Sequence, residues 1–315
     1  CSSGTTALEL ALRATKIGLG DEVITVAKTF TATASTIVQV GAIPKFVDVD
    51  ENTFNINVNE IEKNISEKTK AILPVHLYGQ ASDMGPIIEI SKRYNLTIIE
   101  DCAQAHGSEY NGKRIPVGSI GCFSFYPSKN LGAFGDAGCV VTDDENTASM
   151  ISMLLDAGRA KGKKYEHDIV GFNYRLDNIQ AAILNVKLKY LEEFNKNRRK
   201  NAKLYTDLLN ELKDKVISPF EASYSKHVYY VYTIKVKDRD GLASFLGQNE
   251  ITTQIYYPIP LHLQLAYKNL GYKQGDLPVT EKLSKEVLSL PMYPELTKSQ
   301  IQFIAHSIRK ILGKK

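Results

Sequence analysis

The first half of the chain alternates short apolar runs, typical of strands, with stretches of helical periodicity. The apolar runs are EVITV (22–26), AILPV (71–75), LTIIE (96–100), GCFSF (121–125) and GCVVT (138–142). Strands that are separated by helices pair in parallel, with helices on both faces of the sheet. We therefore predict an α/β fold with a doubly wound, mostly parallel sheet. Ligands of such sheets bind beyond the carboxyl ends of the strands.

The second half predicts a smaller α+β domain. Residues 177–212 have the pattern of a long helix or a helix pair, and 227–236 alternates like a half-buried strand. We place the boundary after residue 190, which gives a large domain over 1–190 and a small C-terminal domain over 191–315. A cleft between two domains is the usual place for a substrate.

Composition excludes several classes of function. The 315 residues are 43% hydrophobic with a net charge of +4, and no run approaches the roughly 20 apolar residues that span a bilayer. We expect a cytoplasmic protein without a membrane partner. The basic run at 195–203 lacks interleaved aromatic residues, which favours a solvated helix face over nucleic-acid binding. The six histidines and four cysteines show no metal-ligand spacing, so we predict no metal.

Lys129 and Asp101 suggest a specific chemistry. Lys129 follows the apolar run 121–125, and Asp101 ends the run before it. A lysine amine can condense with the aldehyde of pyridoxal phosphate (PLP), and a carboxylate can hold the cofactor's ring nitrogen protonated. Either residue alone is better explained as a surface charge or a strand-end cap. Ser124, five positions before Lys129, could reach the cofactor's phosphate and raises the odds for the pair.

The opening SSGTTALELALRA predicts a loop that runs into a helix, with Thr6 and Glu9 spaced as a capping box. Free amides at Gly4 and Thr5 would make a phosphate site at the helix start, although capping alone would explain the threonines. Three glycines after the lysine are expected to let the backbone turn around a bulky ligand: Gly132, Gly135 and Gly138.

Blocks along nearly the whole chain resemble the DegT/StrS family of PLP-dependent sugar aminotransferases. These blocks are SSGTTALELAL, GDEVIT, FVDVD, PVHLYGQ, IEDCAQAHG, FSFYPSKNLG, GFNYRLDNIQAA, IYYPIPLH and SLPMYPEL. The resemblance implies the aspartate aminotransferase fold (PLP fold type I) and PLP as the cofactor. It also implies a further native segment before the SSGT block.

The resemblance assigns expected roles to single residues. Lys129 would carry the cofactor, Asp101 would pair with the ring nitrogen, Phe30 would stack on the ring, and Gln104 would lie near the ring hydroxyl.

The same resemblance predicts how the phosphate is held. Gly4, Thr5 and Ser124 would bind it from one chain, and Asn173 with Arg175 would reach it from the neighbouring subunit. We therefore expect a homodimer with shared active sites.

The residue at position 129 separates two chemistries within the family. Relatives that dehydrate a sugar have histidine there, whereas this chain has Lys129, so the resemblance implies transamination with glutamate as donor. The segment YPSKNLGAFGDAG is most similar to members that aminate the third carbon of a dTDP-linked 3-keto-6-deoxyhexose. Alternatives are a 4-keto sugar aminotransferase and a non-catalytic PLP-binding regulatory protein. An amino-acid aminotransferase would need an arginine pair, for which Arg159 and Arg175 are the candidates.

Two tyrosines depart from the family pattern. Tyr230 and Tyr256 stand where many relatives have histidine, which puts any acid–base role at these positions in doubt. Nearby, Tyr257 and His262 could donate hydrogen bonds to sugar or diphosphate oxygens, and packing between the domains would explain them equally well.

Overall fold

The computed structural model describes residues 1–313, and no helix in that range is long and apolar enough to cross a membrane. The helices are α1 (Gly4–Ala14), α2 (Thr31–Gln39), α3 (Val58–Ile61), α4 (Met84–Tyr94), α5 (Glu145–Leu155), α6 (Asn178–Leu188), α7 (Leu191–Leu209), α8 (Arg239–Gln248), α9 (Pro278–Glu286) and α10 (Lys298–Leu312). The strands are β1 (Glu22–Val26), β2 (Ile43–Val47), β3 (Thr69–Ile72), β4 (Thr97–Asp101), β5 (Glu109–Tyr110), β6 (Lys113–Arg114), β7 (Ile120–Ser124), β8 (Gly138–Thr142), β9 (Val216–Ile217), β10 (Ser225–Lys226), β11 (Tyr232–Val236) and β12 (Val287–Leu290).

Six strands form the central sheet in the order β2-β1-β3-β4-β7-β8. Every neighbouring pair is parallel except β7 and β8, which are antiparallel. This confirms the predicted α/β fold with a mostly parallel sheet. The edge strand β2 escaped prediction because Pro44 and Lys45 interrupt its apolar run, and proline is tolerated at a sheet edge.

The start of α1 differs from the predicted capping. Ser3 is the N-cap, and its side chain forms a reciprocal capping box with Thr6. Glu9 takes no part in the cap, since its carboxylate pairs with Arg13 one turn later at 2.9 Å. The helix therefore begins at Gly4, three residues earlier than a cap at Thr6 would allow.

The C-terminal part has its own antiparallel sheet, in the order β12-β11-β9, and its own apolar core. The predicted helix pair is present as α6 and α7. The predicted strand over 227–236 shortens to β11, because Tyr229 has a positive φ of 44° that a strand cannot accommodate. Leu283 and Val287 belong to the core under the central sheet, so the division after residue 190 stays a prediction.

Candidate active site

A cleft of about 490 Å³ lies beyond the carboxyl ends of β4 and β7. The start of α1, the segment after β1, the turn that contains Lys129 and the residues Tyr256 and Tyr257 complete its walls. The structure brings eight of the predicted site residues to this one cleft: Gly4, Thr5, Phe30, Asp101, Gln104, Ser124, Lys129 and Tyr257.

Lys129 sits in a turn that follows β7. Its amide donates to the Tyr126 carbonyl at 2.9 Å, which closes the turn. The next residue, Asn130, is buried, and its side-chain amide donates to Asn195 Oδ1 at 2.7 Å and to the Val228 carbonyl at 3.0 Å. This anchor fixes the backbone while the Lys129 amine extends over the ring of Tyr230, 4.4 Å from its centroid.

Asp101 is a buried carboxylate at the base of the cleft, with 5% of its surface exposed. Thr33 Oγ1 donates to Oδ2 at 2.8 Å, and the Ala103 amide donates to Oδ1 at 3.1 Å. Burial raises the pKa of Asp101, against the opposing effects of these hydrogen bonds and of the Lys129 charge. A cation placed against the carboxylate would offset its desolvation.

The start of α1 meets the end of β7 at very short range. A Cβ on Gly4 would lie 2.5 Å from Ser124 Cβ, so only glycine fits there. The amides of Gly4 and Thr5 have no hydrogen-bond partner within residues 1–313. Free amides at a helix N-terminus beside a serine hydroxyl form a suitable site for a phosphate.

The conformation of Gly132, Gly135 and Gly138 differs from the predicted tight turns around a ligand. None of the three has a positive φ, so they do not serve left-handed turns. Gly138 instead permits a close approach of two segments, because a Cβ there would lie 2.2 Å from the Ser3 carbonyl oxygen. This contact seats the start of α1 on β8.

Aromatic side chains form one wall. Phe30 is 53% exposed, and its ring centroid lies 6.1 Å from that of Tyr257. The buried Gln104 uses both ends of its amide: Oε1 accepts from the Tyr78 amide at 2.8 Å, and Nε2 donates to the Tyr257 hydroxyl at 3.2 Å. Gln104 thus holds Tyr257 in place.

Tyr230 and Tyr256 both line the cleft. The rings of Tyr230 and Tyr256 lie 6.5 Å apart, and the Tyr230 hydroxyl contacts Ser128 Oγ at 3.2 Å. Burial raises the pKa of the Tyr256 hydroxyl, which keeps it protonated and able to donate.

Three predicted site residues lie outside this cleft. Asn173 and Arg175 are exposed beside Asp156, and Arg175 pairs with its carboxylate at 2.7 Å. The third is His262, whose ring is buried and whose Nε2 contacts Glu281 Oε1 at 3.1 Å, in line with the alternative that it serves packing. It packs against α9 and has no access to the cleft.

Comparisons with known proteins identify the family of the chain. The model of the DegT/DnrJ/EryC1/StrS aminotransferase family matches residues 1–309. The chain belongs to this family. Family members with 98–99% of this chain aligned over 83% of their own length are a pleiotropic regulatory protein of Geobacillus stearothermophilus (48% identical) and the UDP-N-acetyl-3-dehydro-α-D-glucosamine 3-aminotransferase of Acidithiobacillus ferrooxidans (45%).

Other family members are named for dTDP-linked sugars. The dTDP-3-amino-3,6-dideoxy-α-D-galactopyranose transaminase of Aneurinibacillus thermoaerophilus is 43% identical over 98% of this chain and 84% of its own. The structure of S. venezuelae DesV in complex with a ketimine intermediate covers all of this chain and 84% of DesV, with a TM-score of 0.97 and 40% identity. The protein is a PLP-dependent nucleotide-sugar aminotransferase.

The cleft fits the family's cofactor. Its volume suits a ligand of that size, and it joins a phosphate cradle, a buried carboxylate, an exposed aromatic face and a primary amine. Lys129, Asp101, Ser124 and Phe30 are the residues that would hold PLP, by an amine, a carboxylate, a hydroxyl and an aromatic face. Their individual roles stay predictions.

Sequence reasoning missed Thr33, whose hydroxyl donates to the Asp101 carboxylate and lies 2.9 Å from the hydroxyl of Thr29, just before α2. It also missed the buried cluster of His76, Glu100 and Cys102, whose potential ligand atoms lie within 4.8 Å. Internal pairing explains that cluster, because both ring nitrogens of His76 are engaged, by Glu100 at 2.8 Å and by the Ser82 amide at 3.0 Å.

Proposed function

We propose that this aminotransferase moves an amino group from glutamate to a dTDP-linked 3-keto-6-deoxyhexose. The observation that carries the proposal is the meeting of the Lys129 amine, the buried Asp101 carboxylate and the Gly4, Thr5 and Ser124 cradle in one cleft. Relatives named for amination at the sugar's third carbon support the choice of substrate.

Each residue has a distinct task in this proposal. The amides of Gly4 and Thr5 and the Ser124 hydroxyl bind the phosphate, and the exposed ring of Phe30 stacks on the cofactor. Asp101 holds the ring nitrogen in its protonated form, with Thr33 fixing the orientation of the carboxylate. When bound, PLP supplies an electron sink for the carbon that loses its proton.

Lys129 is the proposed acid–base group of both half-reactions. Its Nζ would take up the proton from the donor's carbon and return a proton when the keto sugar is aminated. The ring of Tyr230 lies under this amine and limits its range of positions. Tyr256, Tyr257 and Phe30 would form an aromatic wall beside the reacting atoms.

The charge of the cleft supports shared active sites. Phosphate, glutamate and a sugar diphosphate are all anionic, yet among the described residues that line the cleft Lys129 is the one cation, beside Asp101 and Asp136. Arg175 and Asn173 are exposed outside it. We propose that these two residues complete the phosphate site of a neighbouring subunit in a homodimer.

A panel of purified nucleotide sugars tests the proposal. The protein would be incubated with PLP, glutamate and either dTDP-3-keto, dTDP-4-keto or UDP-3-keto sugars, and the products identified by mass and NMR. Fastest amination of the dTDP-3-keto sugar is expected. Preference for the 4-keto isomer or for the UDP sugar would refute the substrate choice and leave the aminotransferase assignment standing.

A regulatory role without catalysis is the second candidate, because one relative is named a pleiotropic regulatory protein. The presence of Lys129, Asp101 and the whole phosphate cradle favours catalysis. Absence of amination with every sugar and donor, in a protein that binds PLP, would favour the regulatory candidate.

A further inference from the structure

Lys28 is a buried amine that the proposed chemistry does not use. It follows β1 by two positions and is 1% exposed. Within residues 1–313 it forms no ion pair, and it is absent from the walls of the cleft. Its one polar contact in this range is the carbonyl of Tyr256, 3.5 Å from Nζ.

Burial of the Lys28 amine lowers the free energy of unfolding. Burial, together with the nearby Arg239 guanidinium, lowers the pKa of Lys28 to about 7. A buried amine without a carboxylate loses its hydration and gains little in return. A methionine would fill the same space without that loss.

The carbonyl that Lys28 contacts belongs to the cleft wall. Tyr256 and Tyr257 both line the cleft, and the hydroxyl of the buried Tyr78 also donates to the Tyr256 carbonyl. Further along, the Leu261 amide donates to the Ala27 carbonyl at 2.9 Å. The segment 256–261 is therefore tied to the end of β1 at both of its ends.

We propose that Lys28 is a positioning residue, which holds the Tyr256 carbonyl and thereby sets the place of Tyr256 and Tyr257 against the sugar substrate. It acts through these residues and touches no substrate itself. Tyr78 shares the task by donating to the same carbonyl. The part of this inference that concerns the sugar rests on the proposed function.

Lys28→Met tests the proposal by amide hydrogen exchange and by kinetics. Peptides that cover 254–260 should exchange about five- to tenfold faster, the loss expected for one net hydrogen bond. The KM for the keto sugar should rise by about the same factor while kcat changes less than about twofold, because binding geometry and not proton transfer is altered. The thermal midpoint should rise, since a buried amine is removed.

Lys235→Met is the matched control. Lys235 is also buried, and its amine donates to a backbone carbonyl, that of Glu51, at 3.1 Å. It lies outside the cleft wall, so exchange at 254–260 and the KM should stay unchanged.

Unchanged exchange at 254–260 in Lys28→Met would overturn the proposal, and so would a variant that unfolds, because the proposal predicts a stabilised protein. Tyr78→Phe should also speed exchange in the same peptides. Exchange as slow as in the unsubstituted protein would contradict the claim that Tyr78 and Lys28 together hold the Tyr256 carbonyl. If the unsubstituted protein shows no activity on the keto sugar while Lys28→Met still exchanges faster at 254–260, the anchoring of this segment is supported and the proposed substrate is contradicted.

Discussion

Asp101 ends β4, where burial raises its pKa and Thr33 and Ala103 supply its hydrogen bonds. Asp101→Asn keeps the shape and removes the charge that would hold the cofactor's ring nitrogen protonated. We expect turnover to fall by about 10²-fold or more while PLP still binds. Steady-state kinetics with a spectroscopic PLP titration measures both quantities. Near-normal turnover would contradict this role and leave Asp101 with only a structural role as a strand-end cap.

Lys28 gives a pH dependence of stability that can be measured without substrate. Its folded-state pKa of about 7 lies below the unfolded value. Unfolding therefore takes up a proton between about pH 7 and pH 10.4, and the stability penalty grows as the pH falls through that window. Lys28→Met should raise the free energy of unfolding by a few kcal/mol at pH 7 and by much less at pH 10.

Urea denaturation of both proteins at the two pH values tests this expectation. Equal stabilisation at pH 7 and pH 10 would show that Lys28 is not neutralised by folding.

At single positions, the sequence predicted residues whose side-chain chemistry is distinctive by itself. Lys129, Asp101 and Ser124 were predicted from their chemistry and spacing, and the structure places them in one cleft. Thr33, Tyr78 and Lys28 were not, because their hydrogen bonds join segments that no local pattern relates. For His262 the sequence left binding and packing open, because its partner Glu281 lies in a distant segment, on α9.

At the level of elements, the contact between α1 and β7 builds the proposed phosphate cradle. Gly4→Ala would place a methyl group 2.5 Å from Ser124 Cβ. Displacing α1 should cost about 1–3 kcal/mol, seen as a lower thermal midpoint, and should weaken PLP binding. Gly247→Ala in α8 is the control, because nothing lies within 4 Å of its Cβ position.

The control should be neutral or slightly stabilised, since alanine is a better helix former than glycine. Equal effects of the two substitutions would contradict a special role for the Gly4 contact.

The apolar runs predicted five of the six strands of the central sheet, since buried parallel strands are continuously apolar, and missed only β2 among them. The pattern did not predict that β8 turns back antiparallel, although the connection after β7 contains no helix and parallel neighbours usually need a crossover helix. The strand over 227–236 was too long because apolar alternation does not reveal the positive φ of Tyr229. The capping box was shifted because Ser3 and Thr6 satisfy the same spacing as Thr6 and Glu9.

For the whole molecule, the proposed dimer predicts complementation. Lys129→Ala lacks the amine, and a chain with Asn173→Ala and Arg175→Ala lacks the groups proposed to reach the neighbour's phosphate. Mixed dimers would contain one complete site, so an equal mixture should recover about a quarter of the wild-type activity. No recovery, with subunit exchange shown by differently tagged chains, would mean that each site is built from one chain.

The identity of the lysine that carries the cofactor tests the account most directly. The PLP-loaded protein would be reduced with borohydride, which makes the link to the cofactor permanent, then digested and mapped by mass spectrometry. The account predicts the adduct on the peptide that contains Lys129, whose amine faces the cleft with Asp101 and Ser124. An adduct on any other lysine, including the buried Lys28, would contradict it.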